Sequence, residues 1–174
     1  MTHPPVNGHD GPYPAPIRIP NRKVEPAWID QNGHMNVGYY GIAFDLAADV
    51  LFDEYLGLGW EYIERAGQGS FVLQAQTHFL NELREGEGFS VRFRLIDHDS
   101  KRMHFFGEMV RDADGCLCAT QEIVSVNVDH GTRRSAPFPD WAQRRLERMK
   151  SDHAGLERLQ QQGAPIGLHR PRKG

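Results

Sequence analysis

Between Asp30 and Asn36 the sequence reads Asp-Gln-Asn-Gly-His-Met-Asn, which brings a carboxylate, amides and an imidazole together just before a long apolar pattern begins. A carboxylate can act as a general base that activates water, or as a nucleophile that forms an acyl intermediate. An imidazole such as His34 can supply a second base or a proton for a leaving group, and Asn32 can position water or a carbonyl. The helix expected to start right after Asn36 adds unpaired backbone N–H groups and a positive dipole end, which welcome developing negative charge. Each residue also has a plainer use. Asp30 suits an Asx turn, Asn32-Gly33 a hairpin turn, His34 a hydrogen-bonded structural role, and Asn36 a helix N-cap.

The flanking patterns show what must hold this elbow. A short extended segment, about Lys23 to Ile29, leads into it. From Val37 to Leu56 apolar residues recur at helical spacing and cover most of the circumference. Asp45, Asp49 and Asp53 form one narrow acidic stripe, and Gly57 or Gly59 supplies a stop. A helix this apolar is expected to be central and wrapped by other structure. Period-two alternation then marks strands over Ser70 to Leu83, Phe89 to Asp97, Arg102 to Val110 and Leu117 to His130, with polar or glycine turns between them. The short turns predict an antiparallel meander of these strands. Pro137 to Pro139 ends the sheet, and Asp140 is expected to cap a helix from Trp141 to about Gln162. The class is α+β: an antiparallel sheet curled around one long helix, with a C-terminal helical extension.

Length and composition narrow the function. The chain has 174 residues, 39% hydrophobic and 25% charged, enough for one domain with extensions. Residues 1–20, rich in Pro and Gly, read as a flexible tail, 21–138 as the domain, and 139–174 as a C-terminal helix and basic tail. A net charge of -3 argues against nucleic acid as a partner. No apolar run approaches the ~18 residues of a membrane span, and no secretory leader opens the chain. The two cysteines, Cys116 and Cys118, stand too close to staple a fold, so a cytoplasmic protein is expected. The nine histidines show no ligand spacing and Cys116-x-Cys118 has no second pair; no metal is expected.

Other residues offer binding chemistry. Gln74, Gln76 and His78 share one face of a strand and could line a site from a partner subunit, though a solvated strand face is an equal reading. Lys101-Arg102 and Arg133-Arg134 suit phosphates. Trp28, Tyr39, Tyr40 and Trp60 could make cation–π contacts, with core packing as the commoner use, and Asp45 and Asp49 would need partners on a wrapped helix.

The order of elements, together with Asp30, Gly33, Asn36 and Tyr40, resembles the hotdog-fold acyl-CoA thioesterases, in particular the 4-hydroxybenzoyl-CoA thioesterase-like group. The resemblance covers about residues 22–138. Met35-Asn36 and Val37 depart from that group's usual residues. Trp-Ile-Asp-x-Asn-Gly-His-Met-Asn-Val, with Lys101-Arg102-Met103-His104, is also similar to betainyl-CoA thioesterases of carnitine degradation. The resemblance implies hydrolysis of a small or medium acyl-CoA. Asp30 would be base or nucleophile, Asn32 and His34 would assist, and the Val37 backbone N–H would hold the oxyanion. Trp28, Asn36, Tyr40, Gln74, Gln76, His78, Lys101 and Arg102 would bind substrate. It implies no cofactor beyond the CoA of the substrate, and a homodimer or homotetramer with the site between subunits. Two rivals stand beside it. One is a hotdog enoyl-CoA hydratase, whose loop spaces its histidine one residue further; the other is an acyl-CoA-binding module without turnover.

Overall fold

The computed structural model describes residues 7–168. Strands β1 (Ile17–Lys23), β2 (Gln68–Phe79), β3 (Gly88–His98), β4 (Arg102–Arg111) and β5 (Leu117–Asp129) form one antiparallel sheet in the order β1-β3-β4-β5-β2. A two-residue β6 (Arg134–Ser135) pairs with β5. The four expected alternating strands are therefore present, but the expected meander holds only for β3-β4-β5. Strand β2 crosses to the far edge and pairs with β5. The reason lies in the connection after it: buried Leu83 seats that segment under the elbow, so it cannot close a tight hairpin onto β3.

Helix α1 (Val37–Val50) runs on as a wider turn, Leu51–Leu56, and stops at Gly57, whose φ of 69° supplies the left-handed conformation that such an ending needs. Tyr40, Ala43, Phe44, Ala47 and Leu51 are buried against the sheet. From the sheet, Phe89, Val91, Phe93 and Leu95 of β3 and Met103, Phe105 and Met109 of β4 complete this core. Gly107 permits the closest approach. A Cβ there would meet Phe44 Cε1 and Phe93 Cε1 at 3.0 Å, so the central strand gives up a side chain to seat the helix. One face of α1 stays open, with Val37 61% and Ile42 48% exposed beside Asp45 and Asp49. The helix is central, yet a single chain does not wrap it on every side.

The polar stretch expected as a connection from Glu61 contains a short helix, α2 (Trp60–Ala66). The segment read as a lead-in strand is a 3-10 turn, Pro26–Trp28, and the true first strand lies earlier. Residues 7–20, read as part of a mobile tail, are fixed by side chains that composition conceals. Tyr13 and Ile17 are buried, Tyr13 N–H donates to Asp152 at 2.8 Å, and Arg145 pairs with Asp10 at 2.8 Å. The rest of that tail, residues 1–6, lies outside the described residues. Helix α3 (Asp140–His153) is shorter than expected, with Pro139 rather than Asp140 at its N-cap position. It buries Trp141, Leu146 and Met149. Beyond it the chain crosses the outer face of the sheet, where Arg94 donates to the Glu157 carbonyl and Gln76 to the Ala164 carbonyl at 2.6 Å. Those sheet side chains engage the chain's backbone groups, which replaces the helical continuation through Leu156 and Leu159.

His153 locks three elements together. Its Nδ1 accepts from Leu95 N–H at 2.9 Å, so its Nε2, 2.9 Å from the Pro14 carbonyl, is the donor. This neutral form is favoured because burial holds the imidazole pKa below its ordinary 6.5. A depressed folded-state value means that the contribution is whole above 6.5 and is lost as the pH falls below it. Urea midpoints measured between pH 7 and 5 are expected to fall, and His153→Gln, which keeps a donor and an acceptor, is expected to flatten the slope; an unchanged slope would contradict the linkage. In the same assay Gly107→Val is expected to cost ~1–3 kcal/mol through overpacking against Phe44 and Phe93.

Candidate active site

The elbow is a small hairpin stitched to two neighbours. Ile29 and Met35 form an antiparallel bridge. Asp30 N–H donates to the His34 carbonyl at 3.1 Å, and Gly33 N–H to the Asp30 carbonyl at 3.0 Å. Gly33 has φ 80°, a conformation that costs a glycine nothing and most side chains a good deal. The Asp30 carboxylate itself organises the turn. One oxygen accepts Asn32 N–H at 2.8 Å, and the other lies 3.4 Å from Asn36 Nδ2. Asn36 in turn accepts Gly38 N–H at 3.0 Å through its side-chain oxygen, the N-cap bond expected of it. The half-buried carboxylate is thus tied, through one amide side chain, to the first turn of α1.

This arrangement leaves the Val37 main-chain donor open at the helix start. Gly38 N–H is taken by the cap and Tyr39 N–H by the Asn36 carbonyl at 3.0 Å. Among the described residues Val37 N–H has no hydrogen-bond partner. It stands at the positive end of α1, where a developing oxyanion would be favoured. A cleft of about 320 Å³ opens beside it, lined by His34, Val37, Tyr40, Phe79, Leu80 and Glu82 among others. His34 Nδ1 lies 3.2 Å from the Met35 carbonyl, which fixes the ring at the cleft wall. Asn32 is exposed at the hairpin tip.

Aromatic residues back the elbow and line the cleft. Trp28 is buried and stacked on Tyr39, ring centroids 5.5 Å apart, so it supports the elbow from beneath. Tyr40 is buried, packs edge-on against Phe79 at 5.2 Å, and accepts Leu83 N–H at 3.2 Å; burial raises its pKa. Sequence reading missed Leu83, which also takes Met35 N–H on its carbonyl at 2.8 Å. Nothing in its local pattern marks it, because its importance comes from a contact between distant parts of the chain.

Of the expected residues, His34, Val37 and Tyr40 line the cleft; Asp30, Asn32 and Asn36 belong to the hairpin and cap next to it, and Trp28 packs against Tyr39 behind the elbow. The structure does not bring the other expected binding residues to this cleft within one chain. Gln74, Gln76 and His78 alternate onto the outer face of β2, and Gln76 Nε2 lies 3.0 Å from His78 Nε2. Lys101 and Arg102 sit at the β3–β4 turn, at the opposite end of the sheet from Leu83 and Gly88, and Arg102 pairs with Asp99 at 2.6 Å. Asp45 and Asp49 lie on the open face of α1, beside a second, apolar pocket lined also by Phe52, Trp60, Phe105 and Ser125. No helix among the described residues is long and apolar enough to cross a membrane.

The imidazole of His34 and the open Val37 N–H line the cleft, and the Asp30 carboxylate is tied through Asn36 to the helix start beside it, an arrangement fit for adding water to a carbonyl. Comparison with known proteins identifies the family. A betainyl-CoA thioesterase of Pseudomonas aeruginosa is 32% identical over 145 residues, covering 83% of this chain and 91% of that protein. An L-carnitine dehydrogenase/betainyl-CoA thioesterase of Rhizobium meliloti is 30% identical over 155 residues, 89% of this chain; the chain spans about a third, 31%, of that longer protein. Among solved structures, a hypothetical protein of Staphylococcus aureus in complex with CoA superposes with a TM-score of 0.82 at 26% identity, covering 91% of this chain and 99% of that one. The 1,4-dihydroxy-2-naphthoyl-CoA thioesterase of Synechocystis shares the fold with a TM-score of 0.62 at 17% identity, over 75% of this chain and 93% of that one. The curled sheet around α1 is the hotdog fold. With its characteristic pattern matched over residues 24–146, the chain belongs to the thioesterase-like superfamily.

Proposed function

We propose that the cleft at the start of α1 hydrolyses the thioester of a small acyl-CoA, and that Asp30, Asn32, His34 and the Val37 N–H carry the reaction. The observation behind this reading is the tie between Asp30 and Asn36: a half-buried carboxylate joined through the cap residue to the helix start, where Val37 N–H is open. The thioester carbonyl oxygen accepts from Val37 N–H. Asp30 draws a proton from the attacking water, or attacks the carbonyl carbon itself and leaves water to finish the hydrolysis. Negative charge gathers on the carbonyl oxygen and is met by the N–H and the dipole of α1; such a donor is worth about 3–4 kcal/mol elsewhere. The intermediate then collapses and expels the CoA thiolate, to which His34 can pass a proton. No cofactor enters this scheme beyond the CoA of the substrate, and the two unpaired cysteines accord with a cytoplasmic setting.

For the acyl group we favour the betainyl unit. The support is the Pseudomonas aeruginosa relative, matched over nearly its whole length, and the acidic open face of α1. A homodimer also belongs to the reading. Strand β2 is an edge whose Phe71, Val72, Leu73 and Phe79 are exposed, and the open face of α1 continues that apolar surface. A second copy paired along β2 would cover both, and would offer a route by which Lys101 and Arg102 reach CoA phosphates in the other subunit's site.

Thiol release from a panel of betainyl, aromatic and medium-chain acyl-CoAs tests the activity. Asp30→Asn is expected to lose at least ~100-fold in turnover with little change in KM; retention of near wild-type turnover would remove Asp30 from the mechanism. Hydration of crotonyl-CoA, followed by loss of enoyl absorbance, is expected to be absent and would instead favour the hydratase. Tight acyl-CoA binding without thiol release would favour the binding module. Light scattering is expected to give a dimer or tetramer that Leu73→Lys on the edge strand dissociates, and a monomeric wild type would contradict the pairing.

A further inference from the structure

A pocket of about 480 Å³ lies at the opposite end of β2 from Phe79, where Gln68 opens that strand and α3 begins. This volume falls in the roughly 300–1,000 Å³ range of ligand sites. Trp141, 3% exposed, lines it, and its indole Nε1 is buried with no hydrogen-bond partner. An indole N–H only donates, so the partner it lacks is an acceptor. The other uncommitted groups of the lining are mostly donors too. The Gln68 amide oxygen already accepts from Tyr62 Oη at 2.7 Å and Asn127 Nδ2 at 2.8 Å, which leaves its N–H groups free. Arg144 makes no hydrogen bond or ion pair among the described residues. Pro139 gives α3 no side-chain cap, and the Asp140 and Trp141 main-chain N–H groups have no acceptor among those residues. Asp140 is the one acidic side chain in the lining.

We propose that this pocket is a phosphate subsite, where Trp141 Nε1–H, the Gln68 amide, the Arg144 guanidinium and the open N–H groups of α3 meet the anion's oxygens. A phosphate supplies the acceptor that the buried indole lacks, and its charge suits a guanidinium and a helix start. An apolar guest would leave the indole N–H unmatched, and a cation would also be repelled by Arg144. Asp140 opposes an anion, so its neutralisation is expected to tighten binding. A further unpaired cation, Lys101, belongs to the same end of the molecule. Its carbonyl takes Asn127 N–H at 2.8 Å, and Asn127 Nδ2 reaches the carbonyl of Pro137 in the pocket wall at 3.3 Å.

Distance decides where such a phosphate comes from. From Gln68 to Phe79 β2 covers roughly 36 Å at ~3.3 Å per residue. The path from the sulfur of CoA through the pyrophosphate to the ribose 3′-phosphate has about 21 bonds and extends to roughly 25 Å. A CoA whose thioester lies at the elbow, beside Phe79, therefore does not bring its phosphates to the Gln68 end of its own chain. A second copy changes this. Two identical edge strands related by a two-fold axis pair antiparallel, which sets the elbow end of one β2 beside the Gln68 end of the other. The phosphate belongs either to CoA held at the elbow of a second copy or to a free phosphate compound. The first source rests on the hydrolase and dimer reading above; the second does not.

The experiment has two arms, each run on the full-length wild type, Arg144→Gln, Trp141→Phe and Asp140→Asn. In the first, kcat/KM is measured for the acyl-CoA turned over fastest and for the pantetheine thioester of the same acid, which carries no phosphate. In the second, adenosine 3′,5′-bisphosphate and inorganic phosphate are titrated by calorimetry. A CoA-to-pantetheine ratio that falls about 10-fold in Arg144→Gln and Trp141→Phe, and rises in Asp140→Asn, supports the CoA source. Bisphosphate or phosphate binding that shifts in the same directions, with an unaltered ratio, supports the free-phosphate source. Thiol release with an unaltered ratio, and phosphate binding that is absent or indifferent to the variants, overturns the subsite and leaves the hydrolase intact. Absence of thiol release from every acyl-CoA, with variant-sensitive phosphate binding retained, would sink the hydrolase and leave the subsite standing; absence of both overturns both. Arg144 and Asp140 are exposed, so their variants carry the test should Trp141→Phe not fold.

Discussion

The start of α1 is held from three directions, and the proposed chemistry depends on that attachment. Asn36 N–H donates to the Trp28 carbonyl at 2.8 Å, Met35 N–H to the Leu83 carbonyl at 2.8 Å, and the Asn36 side chain joins Asp30 to Gly38. These bonds fix the carboxylate, the imidazole and the open Val37 N–H in one frame. Fixed dipoles aimed at the place where charge develops need no reorganisation when the reaction occurs, which is why such preorganisation carries so much of catalysis. The sheet holds this helix end in place. Gly107 lets Phe44 close on β4, and Leu83 anchors the elbow from the strand connection.

Much of this was legible in the residues. The elbow could be read because turn formers, a cap residue and a change of period from 2 to 3.6 coincide over a few positions, and each of those signals is local. The α1 boundaries, the glycine stop at Gly57 and four of the sheet strands were readable for the same reason. Sheet order was not. Whether β2 pairs with β3 or with β5 depends on where the Leu80–Glu87 connection lies, and that is decided by Leu83 beneath the elbow. The N-terminal segment misled in the opposite way. Its prolines and glycines suggest mobility, yet Tyr13, Ile17 and Asp10 find partners on α3 and the sheet that no local pattern announces.

The candidate site divides along the same line. Residues inside the hairpin and the first helical turn come together because they are neighbours in sequence. Gln74, Gln76, His78, Lys101 and Arg102 were chosen by chemistry and strand alternation, and in one chain they lie on the other face or at the far end of the sheet. Alternation identifies a shared face without saying which face meets the helix. A β-bulge between Val72 and Gln74 shifts the alternation along β2.

The central claim is that a thioester carbonyl sits against Val37 N–H with Asp30 beside it. Determining the structure of the protein with a non-hydrolysable ketone analogue of an acyl-CoA, in which a methylene replaces the sulfur, tests this most directly. The account predicts the ketone oxygen at ~2.7–3.1 Å from Val37 N, with the Asp30 carboxylate on the open side of the carbonyl. An analogue bound with its carbonyl away from the start of α1, or with Asp30 turned out of the cleft, would contradict it.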